Sequence, residues 1–527
     1  MQSSDPPHLA ELIARIQAVN PCLVDCWQAT AIIESLGYTD RIIQEEFCFP
    51  DALALGRYIY GCQSPVAGVI SVERSPQPRR FRWLQCKATT RKLLQEGKIF
   101  LKEFSRSFVY AVPLIMTLIL EHLPTENTHH FFPPELSSAL ALATIISLIT
   151  SGGFVQMISR RGMFYQQLNE LGQMRQACLA FLGLGITVSL VLSLLGTWFG
   201  FYRSVIPDAY LILANLYYCF LSALWMLFAV LSIVIPWGTP IALLGLTLMF
   251  LMLRSLWHWG AIETQVVTMA AVFVAIALVI AVKFHRYGRF LSQDTATVKP
   301  PRLSALVYLM APYFLYGVFY FMFVFADRII AGLAINPASG LFYAVDSSYQ
   351  RSMDLALLNF LLLVPFVEYL SFIFIRYWYQ RAKTTAIRST ALFSSRLRRC
   401  HYAVTAATLL FFVLVLVGIL ALSRSNPWQL TDLWLSLAGS LGYLLLAVGL
   451  LNALILLSLD QAIIVFRSLF PALSVNLAVG YLCAHLIAAP YAVVGLVGGA
   501  IVFLVCSSRQ VRQAIRQPDR MYYLGGY

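Results

Sequence analysis

Charge is scarce in this sequence. Only 12% of its 527 residues are Asp, Glu, Lys or Arg, while 59% are hydrophobic. Soluble domains carry about 25% charged residues, so a soluble fold of this size could not cover so much apolar surface. Apolar runs recur from Phe108 onward, each near the ~20 residues that cross a bilayer core of about 30 Å. Such runs can satisfy their backbone in lipid only as helices or closed barrels, and their length selects helices. The chain therefore reads as an all-α, polytopic membrane protein.

Other absences narrow its function. There is no phosphate-binding Gly-rich loop followed by Lys-Ser/Thr, no zinc-peptidase helix motif and no nucleophile elbow. An ATP-driven pump and an intramembrane polymerase with an exposed active site are thereby disfavoured; no enzymatic activity and no cofactor are expected. The ten cysteines include no CxxC pair. They suggest neither a disulfide framework nor a zinc site, and small buried side chains are the simpler account. Acidic residues are outnumbered, 25 to 38, for a net charge of +13. Nucleic acid is not the expected partner, because the basic residues sit in alternate loops between apolar segments, the pattern of membrane topology.

About twelve spans are predicted, over 105–123, 136–158, 177–200, 205–234, 237–257, 262–284, 305–328, 354–375, 402–423, 433–457, 462–485 and 488–507. The basic segments "SRRGMFYQQLNELGQMRQ", "KFHRYGRFLSQDTATVKPPR", "RYWYQRAKTTAIRSTALFSSRLRRCH" and the tail "SSRQVRQAIRQPDR" all fall on one side of this arrangement. "EHLPTENTHHFFPPE", "INPASG" and "LIAAP" fall on the other. The positive-inside rule then makes both termini cytoplasmic. Six spans precede the basic linker and six follow it, an organisation typical of alternating-access transporters built from repeats.

The expected organisation has five parts. Residues 1–104 form a cytoplasmic helical module with an amphipathic lead-in, and 105–284 a first six-helix bundle. A basic linker covers 285–304, a second six-helix bundle 305–508 and a cytoplasmic tail 509–527. In the module, Leu9, Leu12, Ile13 and Ile16 share one helical face. Thr39 and Asp40 can start another helix.

Ionisable groups inside spans mark functional candidates. Asp327 and Arg328 stand at the outer end of the seventh predicted span, and Asp354 opens the eighth. Glu368 lies deep in the eighth, shortly after Pro365, and Arg467 lies in the eleventh. These five are the candidates for a substrate pathway or gate. Asp208, Arg254, Glu263 and Asp460 sit at span ends, where a charge can reach water at little cost.

Several segments resemble PelG, the multi-span component of the Pel polysaccharide secretion system. They are "TSGGFVQMISRRGMFYQQLNE", "ANLYYCFLSALWMLFAVLS", "FADRIIAGLA", "YQRSMDLALLNFLLLVPFVEYLSFIFIRYWYQRA" and "FRSLFPALSVNLAVGY". The resemblance spreads over roughly residues 105–527. It implies a member of the multidrug/oligosaccharidyl-lipid/polysaccharide (MOP) flippase superfamily, with two six-helix bundles around a cavity. It also implies export of an exopolysaccharide or a lipid-linked glycan across a bacterial inner membrane, with a cytoplasmic glycosyltransferase or another Pel-like component as partner. Beside it stand a membrane scaffold that recruits partners through residues 1–104, and an ion-coupled small-molecule antiporter.

Overall fold

The computed structural model describes residues 7–19, 23, 25–63, 97, 100–101, 104, 134–203, 207–255, 260–291, 303–335, 343–382, 390–423, 430–518 and 520–521. The predicted span at 105–123, most of the amphipathic lead-in and the 285–304 linker beyond Leu291 as far as Arg302 lie outside the described residues. Nearly all of the structure is helical, 92%, and no strand occurs among the described residues.

Four short helices come first: α1 (Pro7–Val19), α2 (Cys26–Ser35), α3 (Asp40–Phe47) and α4 (Ala52–Gln63). Leu9, Leu12, Ile16, Ile33, Ile43, Phe47, Leu55 and Ile59 form a core of their own. The apolar stripe of α1 is thus used as its spacing predicts. Asp25 caps α2, accepting from the Gln28 N–H at 2.8 Å. Thr39 makes no capping bond. Asp40 instead accepts from the Ala52 N–H at 3.0 Å, tying the start of α3 to the start of α4.

Among the described residues, eleven helices are long and apolar enough to cross a membrane. They begin with α5 (Pro134–Gln167), α6 (Leu171–Arg203), α7 (Asp208–Val234), α8 (Gly238–Ser255) and α9 (Ala261–Leu291). The second set is α10 (Leu303–Ala334), α11 (Ser347–Ala382), α12 (Thr390–Ser423), α13 (Leu430–Ser458), α14 (Ala462–Leu486) and α15 (Val493–Arg516), the last entered through a 3₁₀ turn at Ala489–Ala492. Several overrun their apolar stretch, because a helix keeps satisfying its own backbone after it leaves lipid. Pro312, Pro365 and Pro471 all lie inside helices that continue past them.

The internal repeat is visible in burial. α7 and α13 are the fourth spans of their halves, counting the predicted first span, and are the most buried at 67% and 72% of their apolar windows. The third spans, α6 and α12, are the least buried at 22% and 17%. The second spans, α5 and α11, stand at 50% and 44%. Equal positions thus have nearly equal environments, as two copies of one bundle require. Leu194, Trp198, Leu410 and Leu414 on the two least buried helices are exposed apolar side chains suited to lipid.

By contacts the chain divides into two compact units. One comprises Met1–Gly97, Arg376–Arg399 and Ile515–Tyr527; the other comprises Lys98–Ile375 and Cys400–Ala514. The second unit holds the helices of both bundles.

Candidate functional site

Most of the polar chemistry inside the membrane-spanning unit gathers on α10 and the helices around it. Near the end of α10, Asp327 and Arg328 are 0% and 5% exposed. Neither reaches solvent at a span end. The Arg328 guanidinium donates through Nη1 to Asp354 Oδ1 on α11 at 2.6 Å. Tyr349, also on α11, donates its hydroxyl to Asp327 Oδ2 at 2.9 Å. Gln350 Nε2 stands 3.5 Å from the second oxygen of Asp354. Two charges taken out of water cost several kcal/mol each unless paired, so these bonds are what allow the pair to lie inside the bundle.

Tyr343 approaches the same cluster from the segment between α10 and α11. Its ring is the first thing a side chain at Gly332 would meet. Burial pushes the Tyr343 phenol up to about 12, so near neutral pH it is a neutral donor. Tyr443 on α13 is fully buried and points its hydroxyl at the Val324 carbonyl, 3.4 Å away. It lies within electrostatic reach of Asp327, Arg328 and Asp354.

The track extends along α10. Tyr316 and Tyr320 lie side by side there, ring centroids 5.7 Å apart. Glu368 is on α11, fourteen residues after Asp354. That is about four turns and roughly 21 Å at 1.5 Å per residue, and it returns to nearly the same face. Tyr316, Tyr320 and Asp327 share a face of α10 by the same count. The printed bonds between α10 and α11 lie at one end, at Asp327, Arg328, Tyr349 and Asp354; Tyr316 and Glu368 stand further along their own helices. Glu368 itself is exposed, while Tyr316 is buried.

The remaining candidate, Arg467, is exposed on α14; no hydrogen bond or ion pair links it to the track among the described residues. The structure thus groups Asp327, Arg328 and Asp354 tightly and places Glu368 further along α11. Tyr316 and Tyr320 belong to the aromatic run "APYFLYGVFYFMFVF", whose sequence allows sugar stacking along a pathway beside the commoner anchoring and packing; Tyr349 and Tyr443 were not legible as partners of the charged cluster.

Orphaned polar atoms lie in the same unit. Asn359 on α11 is 1% exposed, and neither amide atom has a partner. Asn476 on α14 donates to the Phe323 carbonyl at 3.0 Å, leaving its own oxygen unpartnered. Asp327 Oδ1 and two nitrogens of Arg328 are likewise unpartnered. A buried polar atom without a bond costs about 1–3 kcal/mol, so such groups mark places where water or a ligand is accommodated.

Contact between the two bundles runs along α5 and α10, which pack antiparallel. At its centre Gly152 faces Gly317: a Cβ on Gly317 would press on the Gly152 backbone, at 2.7 Å from its carbonyl carbon. Only glycine permits that approach, the small-residue crossing of membrane helices. At one end the Val345 N–H donates to Ser138 Oγ at 3.1 Å. At the other, Arg160 on α5 pairs with Asp460 in the α13–α14 turn at 3.0 Å. Tyr313 on α10 donates to the same carboxylate, and Arg160 lies over the Tyr313 ring. Asp460 takes a left-handed φ of 59° to make that tight turn, a conformation Asp tolerates better than most residues. Its span-end position suggested a charge reaching water, and its side chain is 51% exposed; the fold adds two partners.

The sequence matches no family model and no curated protein. Solved structures do match. A eukaryotic MATE transporter, AtDTX14, aligns with a TM-score of 0.56 at 13% identity, over 81% of this chain and 99% of that one. The Vibrio cholerae MATE transporter VcmN aligns with 0.55 at 12% identity, over 81% of this chain and all of that one. A MATE transporter in a straight conformation gives 0.51 at 12% identity, over 81% and 97%. The chain is similar in fold to these proteins, with the two-bundle, twelve-helix arrangement.

Proposed function

We propose that this protein is an alternating-access membrane transporter whose substrate path follows the polar track between α10 and α11. The observation that carries the reading is the buried cluster of Asp327, Arg328, Tyr349 and Asp354, charged and hydroxyl groups placed inside a largely apolar bundle. Groups so costly to place in a membrane are kept where they meet a substrate or an ion. Similarity of fold to MATE transporters supports the same class. In this reading the Gly152–Gly317 crossing is the pivot between bundles. The Arg160–Asp460–Tyr313 contact closes the cytoplasmic end, and Asp327, Arg328 and Asp354 brace the outer end.

The substrate in this reading is an exopolysaccharide or a lipid-linked glycan, for which the PelG-like segments speak. Tyrosine hydroxyls and rings suit a hydroxyl-rich, weakly charged chain. The setting is a bacterial inner membrane with both termini cytoplasmic. Residues 1–104 are there a docking module for a glycosyltransferase or another assembly component, and membrane lipids surround the bundles. The second reading is efflux of small molecules. It draws on the MATE-like fold and on the exposed carboxylate of Glu368, a counter-charge for a cation.

Single cysteines placed at Glu368 and one turn to either side, with native thiols removed, test the path. Labelling of Glu368→Cys by a membrane-impermeant thiol reagent is expected, and Glu368→Gln should reduce transport without loss of folded protein. No labelling from either side of a folded protein would remove the track as a path. Cell-surface glycan and drug susceptibility, measured in the same Glu368→Gln strain, separate the two substrates.

A further inference from the structure

The first compact unit contains a cavity that the transport reading does not use. It measures about 780 Å³ and is lined by Thr390, Ser394 and Arg398 of α12 and by Arg516, Gln517 and Arg520 at and beyond the end of α15. A bond from Ser394 Oγ to the Ile515 carbonyl, 2.8 Å long and buried, fixes the two walls against each other. Phe393, Leu397 and Ile515 are buried behind these walls, while Arg398, Arg516 and Arg520 are exposed.

Three guanidinium groups therefore come together from two helices that are far apart in the chain. None is paired with a carboxylate among the described residues. The surrounding sequence offers little compensation. From Arg376 to Arg399 there are seven Lys or Arg and no acidic residue, and beyond Asp460 the only acidic residue is Asp519. Like charges held together repel unless an anion joins them. A volume of this size fits a small-molecule group rather than one bare ion, and forked guanidinium donors match phosphate oxygens.

We propose that this cavity binds a phosphate-bearing headgroup on the basic side of the membrane. The phosphate is held by Arg398, Arg516 and Arg520, and the remainder of the group lies against Thr390, Ser394 and Gln517. The chemistry is shared by two sources, an anionic phospholipid of the leaflet and a soluble phosphorylated compound. The leaflet is the nearer source, since Arg398 and Arg516 lie on the two apolar helices whose ends form the walls and basic pockets at such ends hold lipid headgroups.

The test uses the full chain purified in detergent, with native mass spectrometry and thermal shift as readouts. The probes are short-chain phosphatidylglycerol, short-chain phosphatidylcholine and inorganic pyrophosphate. Phosphatidylglycerol is expected to bind and stabilise, and phosphatidylcholine to do so much less. Arg398→Gln, Arg516→Gln and Arg520→Gln combined should weaken binding by about tenfold or more, one tenfold step being the loss of a single modest contact. If the triple variant does not fold, Arg520→Gln alone, beyond the end of α15, should weaken it measurably. Pyrophosphate binding that is lost in the same variants supports the site with a soluble source. Binding of neither anion, equal binding of the two lipids, or binding unchanged in the variants overturns the proposal.

Discussion

α10 carries a charged cluster near each end, and the two are built on opposite principles. At Arg328 the ion pair is buried, with side chains 5% and 19% exposed, and both partners belong to the second bundle. At Arg160–Asp460 the side chains are 38% and 51% exposed, and the pair joins the first bundle to the second. A buried pair whose partner is removed leaves a charge that nothing solvates. A half-exposed pair exchanges its partner for water at little cost. The first cluster therefore holds one bundle together, while the second is suited to opening and closing between bundles. One helix serves both because it packs against α5 in one bundle and α14 in the other.

That contrast makes graded predictions. The largest effect is expected from Arg328→Met, which strands Asp354 and removes a positive neighbour from Asp327. A loss of about 3–5 kcal/mol is expected, read as a lowered denaturation midpoint in detergent. Asp460→Asn should cost less than about 1 kcal/mol in the same assay, and equal losses for the two variants would break the comparison. Next is Gly317→Val, whose side chain has no room against the Gly152 backbone. A cost of about 1–3 kcal/mol is expected from overpacking, with poorer recovery of folded protein.

Smaller in energy, and more informative about mechanism, is reversal of the exposed pair. Arg160→Asp should raise thiol labelling between the bundles at that end with little change in midpoint, and adding Asp460→Arg should restore protection. Labelling that does not respond would mean this pair does not hold the two bundles closed. The smallest effect is expected at Asn359. Its amide has no partner, so Asn359→Leu should change stability by under about 1 kcal/mol, in either direction. A large loss of transport without loss of folded protein would instead make Asn359 part of the path.

Spans were legible because a bilayer imposes a fixed length on an apolar run, and α5 to α15 fall where such runs occur. The approach of Tyr443 to the Val324 carbonyl was not, because the two residues lie 119 positions apart in sequence. Arg328 and Asp354 were both noticed as charges; that they face each other depends on how α10 and α11 pack, which periodicity within one helix does not specify. Asp460 illustrates the same limit. Its place at a span end says it can reach water, and only the tight α13–α14 turn presents it to Arg160 and Tyr313. The arginine cavity was readable as a basic loop and a basic tail, but not as one place.

The sequence by itself determined that this is a helical membrane protein and where the long apolar helices of α5 to α15 lie, and it gave expectations for which loops share a side and which buried charges matter. Those follow from local quantities: run length, charge per loop and the price of burying an ion. The tertiary structure decided partnership. It chose Asp354 for Arg328, glycine against glycine at the bundle crossing, and three arginines around one cavity. Each choice depends on distances between helices far apart in the chain, set by packing in the whole bundle rather than by any one segment.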